Sequence, residues 1–178
     1  MPKRVTSLPG RVVWLTGLSG SGKSTLAAAL RERLAASGYN RVYHLDGDCL
    51  RDGLNADLGF SAADRTENLR RSAHVARLLM AEGYIVLAAF ITPLNSQQAL
   101  VRSLFPSDVY CEVYLSTPLI VCETRDPKGL YRRSRSGDLP NMTGVDSDYE
   151  PPEQPELTLN TELISINAAV ERLMSALF

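Results

Sequence analysis

The sequence predicts a single α/β domain in three layers, with a mostly parallel sheet covered by helices on both faces. Short apolar, β-branched runs alternate along the chain with longer segments of helical spacing, which is the pattern of strands joined by helical crossovers. The chain has 178 residues, of which 44% are hydrophobic. That is enough apolar material for one domain with its own core.

The first half of the chain contains two predicted strands and two predicted helices. Residues 11–17 (RVVWLTG) and 42–48 (VYHLDGD) have the apolar, β-branched composition of buried strands. A helix is predicted over residues 25–38, where a glycine provides a common helix stop. The segment 61–64 (SAAD) resembles a capping box, and the helix that it begins continues to Gly83.

The second half repeats the alternation and then breaks it. Residues 84–90 and 111–116 are predicted strands, separated by a helix near 95–105. A C-terminal helix is predicted from one apolar face, formed by Leu163, Ile166, Val170, Leu173 and Leu177. Residues 126–155 are rich in Gly, Pro and polar groups, and a segment of this kind and length is usually functional or disordered. Residues 1–178 are therefore expected to form one domain.

The composition gives no reason to expect nucleic acid or a membrane as a partner. The net charge is −1, so an anionic ligand would have to meet locally clustered cations. Cys49, Cys111 and Cys122 are too widely spaced for a metal knuckle or a disulfide framework. The first residues contain no long apolar stretch before a cleavage site, and no apolar run could span a bilayer. We therefore expect a cytoplasmic protein.

The sequence GLSGSGKS, from Gly17 to Ser24, has the spacing of a phosphate-binding loop and lies between a predicted strand and a predicted helix. Glycines let backbone N–H groups surround phosphate oxygens, and the following helix directs its positive end at the same anion. Lys23 is expected to reach the β- and γ-phosphates, and the Ser24 hydroxyl to ligate Mg²⁺. The predicted nucleotide-binding residues are Gly17, Ser19, Gly20, Ser21, Gly22, Lys23, Ser24 and Thr25.

The alternative for this loop is a flexible glycine turn with a surface lysine, but both flanking elements favour phosphate binding. The sequence has no guanine-reading N-K-x-D tetrapeptide, which favours ATP as the nucleotide. The α/β fold is therefore expected to be P-loop NTPase-like.

Two carboxylates, Asp46 and Asp48, follow the second predicted strand. Ligands of a parallel sheet lie beyond the carboxyl ends of its strands, so both residues should face the same crevice as Lys23. Residues two apart on a strand point to one side. A carboxylate there can ligate Mg²⁺ or accept a proton from an attacking hydroxyl. The alternative is that Asp-Gly-Asp only forms a turn.

Arg51, Phe60, Arg65 and Asn68 lie in the same highly charged stretch, residues 45–71. Arg65 and Asn68 are three residues apart at a predicted helix start and share one face. Arginine suits anions with several oxygens, and an aromatic ring can stack on a base. The set suggests an acceptor with an anionic group and a flat ring. Taken singly, these residues could equally be surface arginines and a core phenylalanine.

The stretch LDGDCLRDGLNADLGFSAADRTENLRR resembles the adenylylsulfate kinase (APS kinase) family, which phosphorylates the 3′-hydroxyl of adenosine 5′-phosphosulfate (APS). The segments GLSGSGKST, FITP, PLIVCETRDPKGLY and TGVDSDYEPPEQPEL resemble the family's signatures in the same order. The resemblance extends from about Gly10 to Thr161 and is far more specific than a phosphate loop. It implies an ATP- and Mg²⁺-dependent homodimeric enzyme that makes 3′-phosphoadenosine 5′-phosphosulfate (PAPS) and ADP for sulfate activation.

The resemblance also implies roles for individual residues. Asp48 takes the proton from the 3′-hydroxyl and, with Ser24, lies at the metal. Lys128 belongs to a mobile lid, residues 126–149, and Cys122, Arg125 and Thr161 border the ATP nucleotide. The residues implied at the acceptor are Asp48, Arg51, Phe60, Arg65, Asn68, Ile91, Thr92, Lys128, Met142 and Thr143.

This sequence departs from the family pattern at several positions. Thr92 stands where the family usually has a serine assigned as a phosphoenzyme site. Its hydroxyl keeps it a catalytic candidate, although two nucleotides held in line need no protein nucleophile and favour direct transfer. Met142 replaces the second aromatic residue beside the acceptor adenine, and its sulfur can still contact a ring. Asn95 replaces a basic residue, and Cys49 an asparagine.

Two other functions are open from the sequence. The first is phosphoryl transfer to another small acceptor, such as a nucleoside or a sugar acid. Product formation with a panel of acceptors would distinguish this reaction from phosphorylation of APS. The second is a non-catalytic nucleotide sensor, but such a domain would be expected to lose Lys23 or Asp48, and both are present. Three lid arginines are either phosphate neighbours or a solvated basic face, namely Arg132, Arg133 and Arg135.

Overall fold

The computed structural model describes residues 10–178, and a five-stranded parallel sheet forms the centre of this region. The strands are β1 (Arg11–Thr16), β2 (Val42–Asp46), β3 (Ile85–Ala89), β4 (Tyr110–Leu115) and β5 (Leu157–Leu159), in the order β2-β3-β1-β4-β5. β1 is central, and its Trp14 lies opposite Ala88 of β3 and Glu112 of β4. The predicted α/β class with a parallel sheet is confirmed.

Helices cover both faces of the sheet. They are α1 (Lys23–Ala36), α2 (Gly47–Arg51), α3 (Ala62–Ala81), α4 (Asn95–Arg102), α5 (Leu119–Arg125), α6 (Leu130–Arg135) and α7 (Ile166–Leu177). Under α1 and α7 the core contains Leu30, Val113 and Leu173. Under α3 and α4 it contains Trp14 and Val101. Strand side chains alternate between these two cores, which explains why β3, buried along its whole length, is apolar throughout.

Within residues 10–178, no helix combines the length and the apolar character that crossing a membrane requires. The expectation that the first residues contain no secretory leader falls largely on residues 1–9, which lie outside the described region.

The second strand is shorter than predicted. It ends at Asp46 because the Asp46 side chain accepts the backbone N–H of Asp48 at 2.9 Å and caps α2. Asp46 and Asp48 therefore do not share one side of a strand, as the sequence pattern predicted. One ends β2 and the other begins a helix, so their side chains face different partners.

The C-terminal part also differs from prediction. α7 begins at Ile166, where Ser165 accepts the backbone N–H of Ala168 at 3.2 Å. Leu163 precedes the helix and is 76% exposed, so the predicted apolar face does not include it. The segment 126–155 contains α6, and β5 follows it; elements this short carry too few residues for an apolar period to show.

Candidate functional site

A cavity of about 770 Å³ opens where β1, β2 and β3 end. Its walls come from the phosphate loop, the turn after β2, the start of α3, the loop after β3 and residues 125–143. The volume is typical of a small-molecule site. Its position beyond the carboxyl ends of parallel strands is where such a sheet places ligands. Segments far apart in sequence thus share one cavity.

The phosphate loop has a backbone with positive φ at three glycines, Gly17, Gly20 and Gly22. Gly20 and Gly22 have φ of 77° and 101°, in the left-handed region. A Cβ at Gly20 would lie 2.8 Å from the carbonyl oxygen of Cys122, so the loop is also closely packed against α5. Gly20, Gly22, Ser19, Ser24 and Thr25 line the cavity, whereas Ser21 is buried beneath it.

Lys23 lies at the base of this loop with its side chain turned back on it. Its Nζ donates to the carbonyl oxygens of Gly17 at 2.8 Å and Leu18 at 2.7 Å. Burial lowers the pKa of the ammonium to about 8. Neutral carbonyls compensate a buried cation only partly, so the position fits an anionic ligand.

Ser24 and Asp46 form the oxygen pair closest to the phosphate loop. The Ser24 hydroxyl donates to Asp46 Oδ2 at 2.7 Å. A hydroxyl and a carboxylate are oxygen donors of the kind that Mg²⁺ accepts together with nucleotide phosphates. The structure therefore places Asp46, rather than Asp48, beside Ser24. The Asp-Gly-Asp pattern therefore indicated the right segment, but not which of its two carboxylates contacts Ser24.

Asp48 faces the opposite wall. Its carboxylate forms an ion pair with Lys128, which joins α2 to the segment 126–149. Both side chains line the cavity and both remain more than half exposed. An exposed pair of this kind contributes little stability and can be exchanged for contacts with a ligand.

Two arginines and an aromatic ring form the far end of the cavity. The Arg51 guanidinium lies 4.4 Å from the centre of the Phe60 ring, and that of Arg65 lies 5.9 Å from it. Phe60 is 55% exposed, which excludes a core position. Arg65 also donates to Thr143 Oγ1 at 2.8 Å and to the carbonyl of Asn141. Burial lowers the pKa of both guanidiniums, which nevertheless stay charged.

Asn68 lines the same end from the first turns of α3. Its amide oxygen accepts from Asn55 Nδ2 at 2.9 Å, and both residues are buried. Asn55 was not predicted as part of the site, because a lone asparagine in a charged turn carries no functional signal. Its hydrogen bond fixes the orientation of the Asn68 side chain, although Asn55 itself does not line the cavity.

Thr92, in the loop after β3, is buried at 1% exposure and has φ of 46°. Its hydroxyl accepts the indole N–H of Trp14 at 2.9 Å. Thr92 nevertheless lines the cavity, together with its neighbours Ile91 and Pro93. The hydroxyl of this catalytic candidate is therefore engaged by the core, which the FITP sequence alone could not show.

Met142 is 6% exposed and packs in a small core with Cys122 and Tyr131, while also lining the cavity. The Cys122 side chain is buried away from the cavity wall. Sequence reasoning missed several lining residues in the segment 126–149: Pro127, Leu130, Leu139, Pro140 and Asn141. The sequence signal that could have identified them was their position within the predicted lid. The three lid arginines do not line the cavity, and Arg135 pairs with Glu123.

Arg125 and Thr161 close the cavity beside the phosphate loop. Arg125 donates to Thr161 Oγ1 at 2.8 Å and to its carbonyl at 3.0 Å. Thr161 Oγ1 in turn donates to the Ser21 carbonyl at 2.9 Å. The structure thus brings two of the three predicted nucleotide-border residues to the cavity beside the loop, and Cys122 does not line it.

Comparisons with known proteins agree with one another. Residues 9–160 match the family described as Adenylylsulphate kinase. An adenylyl-sulfate kinase of Aeromonas hydrophila is 52% identical over 166 residues, covering 93% of this chain and 84% of that protein. The structure of the Mycobacterium tuberculosis APS kinase CysC in complex with AMPPNP and APS matches with a TM-score of 0.90 at 48% identity, covering 95% and 98% of the two chains. A hexameric APS kinase from Thiobacillus denitrificans gives a TM-score of 0.69 at 33% identity, covering 98% of this chain and 30% of that longer one.

Proposed function

This chain belongs to the adenylylsulfate kinase family, and on that premise we propose that it transfers the γ-phosphoryl group of ATP to the 3′-hydroxyl of APS, giving PAPS and ADP. One observation carries the proposal. A single cavity joins a phosphate loop to a pocket with two arginines and an exposed aromatic ring. A nucleoside triphosphate needs the phosphate loop, and a second adenylate beside it needs cations for its anionic group and a ring for its base.

The phosphate loop binds ATP in this proposal. Its backbone N–H groups and the N-terminus of α1 receive the phosphates, and Lys23 exchanges its two carbonyl contacts for phosphate oxygens. Ser24 and Asp46 would hold Mg²⁺ in this proposal, in place of the pair Ser24 and Asp48 that the sequence led us to expect. When bound there, the ion would neutralise part of the phosphate charge.

APS binds at the far end in this proposal. Arg51 and Arg65 pair with its phosphosulfate anion, and the Phe60 ring stacks on its adenine. Asn68 contacts the ribose region, and Met142 offers an apolar surface in place of a second aromatic ring. With the arginines assigned to the anion and the ring to the adenine, the proposal explains why the charged stretch 45–71 combines arginines with an exposed ring.

Asp48 accepts the proton of the 3′-hydroxyl in this proposal. The transition state of phosphoryl transfer is loose, so proton transfer comes late and demands little basicity. Lys128 pairs with Asp48 in the structure and offsets charge near the transferred group when a nucleotide enters. Closure of the segment 126–149 over both nucleotides excludes water and suppresses ATP hydrolysis.

The buried Thr92 hydroxyl supports direct transfer between the two nucleotides rather than a phosphoenzyme. Incubation with γ-labelled ATP in the absence of APS is expected to leave the protein unlabelled. Label recovered on a Thr92 peptide, and lost in the Thr92→Val variant, would instead establish covalent capture.

We extend the proposal to a homodimer in the cytoplasm, as the family resemblance implies. Sedimentation equilibrium tests the first part, with twice the mass of the chain as the expected result. Fractionation of the source cells tests the second part. A monomer at micromolar concentration would remove the dimer from the proposal and leave the reaction unaffected.

The direct test is coupled ADP release by the purified protein with Mg²⁺, measured with and without APS. We expect APS-dependent ADP release with PAPS identified by mass, and loss of both in Lys23→Ala. Release that depends on another acceptor in a panel of nucleosides and sugar acids would assign a different kinase. Tight APS binding without transfer would favour a nucleotide sensor.

A further inference from the structure

We propose that Glu150 is a positioning residue for the acceptor, an inference that rests on the function proposed above. Glu150 lies one residue beyond the lid segment 126–149. It fastens this end of the lid to the loop 90–94, which leads from β3 into α4. That loop forms one wall of the cavity, so Glu150 joins two separate parts of the acceptor site.

Glu150 is bonded to this loop and to α4 by backbone and side chain together. Its N–H donates to the Pro93 carbonyl at 2.7 Å, and its Oε2 accepts the backbone N–H of Asn95 at 2.7 Å. Its carbonyl accepts from Gln98 Nε2 at 2.9 Å. Three hydrogen bonds from one residue therefore hold the lid end against this loop and the first turn of α4.

The carboxylate of Glu150 supplies what the local sequence lacks. α4 begins at Asn95, and the residue before it is Leu94, which has no side-chain oxygen to cap the free N–H groups. Glu150 accepts one of these groups from 55 residues away, and its negative charge is favourable at a helix N-terminus. Part of the cap of α4 thus comes from Glu150, just behind the lid, while Gln97 Oε1 accepts the N–H of Leu94 at 3.4 Å.

Gln98 transmits this contact to Thr92. Its Nε2 donates both to the Glu150 carbonyl and to the Thr92 carbonyl, the latter at 3.2 Å. Thr92 has a left-handed backbone, which is strained for a β-branched residue and needs support from its surroundings. Trp14 holds the Thr92 hydroxyl and Gln98 holds its carbonyl. Substitution of Glu150 keeps this carbonyl but removes the carboxylate bond to Asn95, which helps to hold the carbonyl in place for Gln98.

The other side of the lid end contacts the acceptor arginine. Thr143 accepts from Arg65, so the lid chain lies between Arg65 and the loop that contains Thr92. Beyond Glu150 the chain is fixed again, because Glu156 pairs with Arg102 and accepts the backbone N–H of Glu112. Glu150 therefore anchors the chain behind the lid together with Tyr149, whose hydroxyl lies 3.3 Å from Thr16 Oγ1. The contacts of Glu150 are the ones that join this anchor to the loop 90–94.

The test compares Glu150→Ala with Glu150→Gln, which keeps an oxygen that can accept from Asn95. We expect Glu150→Ala to raise KM for APS about tenfold, with KM for ATP changed less than about twofold, because the hydrogen bonds of Glu150 go to Pro93, Asn95 and Gln98 rather than to the phosphate loop. Glu150→Gln should recover most of the wild-type KM. Glu153→Ala is the control, since Glu153 is exposed and lies outside the cavity.

Trp14 gives a second readout that does not depend on turnover. It is the chain's only tryptophan, and its indole bonds to Thr92. Emission excited at a tryptophan-selective wavelength should therefore shift in Glu150→Ala and in Gln98→Ala, but not in Glu153→Ala. Gln98→Ala also serves if Glu150→Ala does not fold.

Unchanged KM for APS together with unchanged Trp14 emission in Glu150→Ala or Gln98→Ala would overturn the positioning role. Equal losses for both substrates would do the same, since they indicate general destabilisation. A wild-type protein without APS-stimulated ADP release would contradict the proposed function itself. An active wild type with wild-type-like variants would contradict only the role of Glu150.

Discussion

Asp48 and Lys128 form an exposed ion pair to which we assign a functional rather than a structural role. Their ion pair spans the cavity from α2 to the lid, and both side chains line the space where ligands would bind. Exposed pairs contribute little to stability, so replacing either partner should affect the reaction more than the fold.

Asp48→Asn is expected to lower kcat by about a hundredfold or more, because the amide cannot accept the proton of the attacking hydroxyl. ATP binding should change little, since the phosphate loop is intact. Steady-state kinetics and equilibrium binding of a non-hydrolysable ATP analogue check both parts. Asp52→Asn is the matched control, because Asp52 is exposed in the next turn and does not line the cavity. Unchanged turnover in Asp48→Asn would remove Asp48 from the mechanism.

Lys23 is expected to make ATP binding depend on pH. Burial lowers its pKa to about 8 in the free protein, so above that pH the ammonium must regain a proton before it can attract phosphate. Affinity for an ATP analogue should therefore fall roughly tenfold between about pH 7 and about pH 9. Calorimetry at several pH values measures this fall. Lys23→Arg should flatten the profile, since a guanidinium stays charged, and a flat wild-type profile would contradict the assignment.

The start of α3 illustrates how a helix places site residues. Ser61 accepts the backbone N–H of Asp64 at 3.1 Å and caps the helix, as the SAAD sequence predicted. Arg65 and Asn68 follow within the first two turns and line the cavity. The cap therefore fixes the end of the helix from which the two residues proposed to bind the acceptor extend.

Ser61→Ala is expected to lower stability by about 1 kcal/mol and to raise KM for APS, because fraying at the start of α3 moves Arg65. Ser165→Ala is a matched control: Ser165 caps α7 in the same way, and although Ile164 and Ile166 line the cavity, no residue proposed to bind APS lies in α7. It should cost similar stability without affecting APS. Denaturant unfolding and steady-state kinetics measure both effects. Similar KM values for the two variants would contradict this role of the cap.

Across the described region the cavity joins segments from most of the chain, so ligands should stabilise the protein as a unit. A non-hydrolysable ATP analogue at about 100 times its Kd should add about 2.7 kcal/mol, a rise in Tm of roughly 5–10 °C. Adding APS should raise Tm further. Calorimetric melting measures both rises in Tm. The Lys23→Ala variant should show no rise with the ATP analogue. Absence of any shift with the ATP analogue would contradict the nucleotide site.

The fold class and the nucleotide end of the site could be predicted from the sequence. Strand composition, helical spacing and the GLSGSGKS loop depend on residues close together in the chain, and their physical meaning does not change with tertiary context. The glycines show this most clearly, because the φ values of Gly20 and Gly22 are ones that other residues rarely adopt. The family resemblance likewise rested on short segments in a fixed order.

Contacts between distant segments could only be seen in the tertiary structure. Asp46, not Asp48, meets Ser24 because capping of α2 turns the chain at the end of β2. Thr92 is bonded to Trp14 across 78 positions. Glu150 caps α4 across 55 positions. Composition and spacing cannot specify such pairs, because which groups meet depends on how helices and loops pack around the finished sheet.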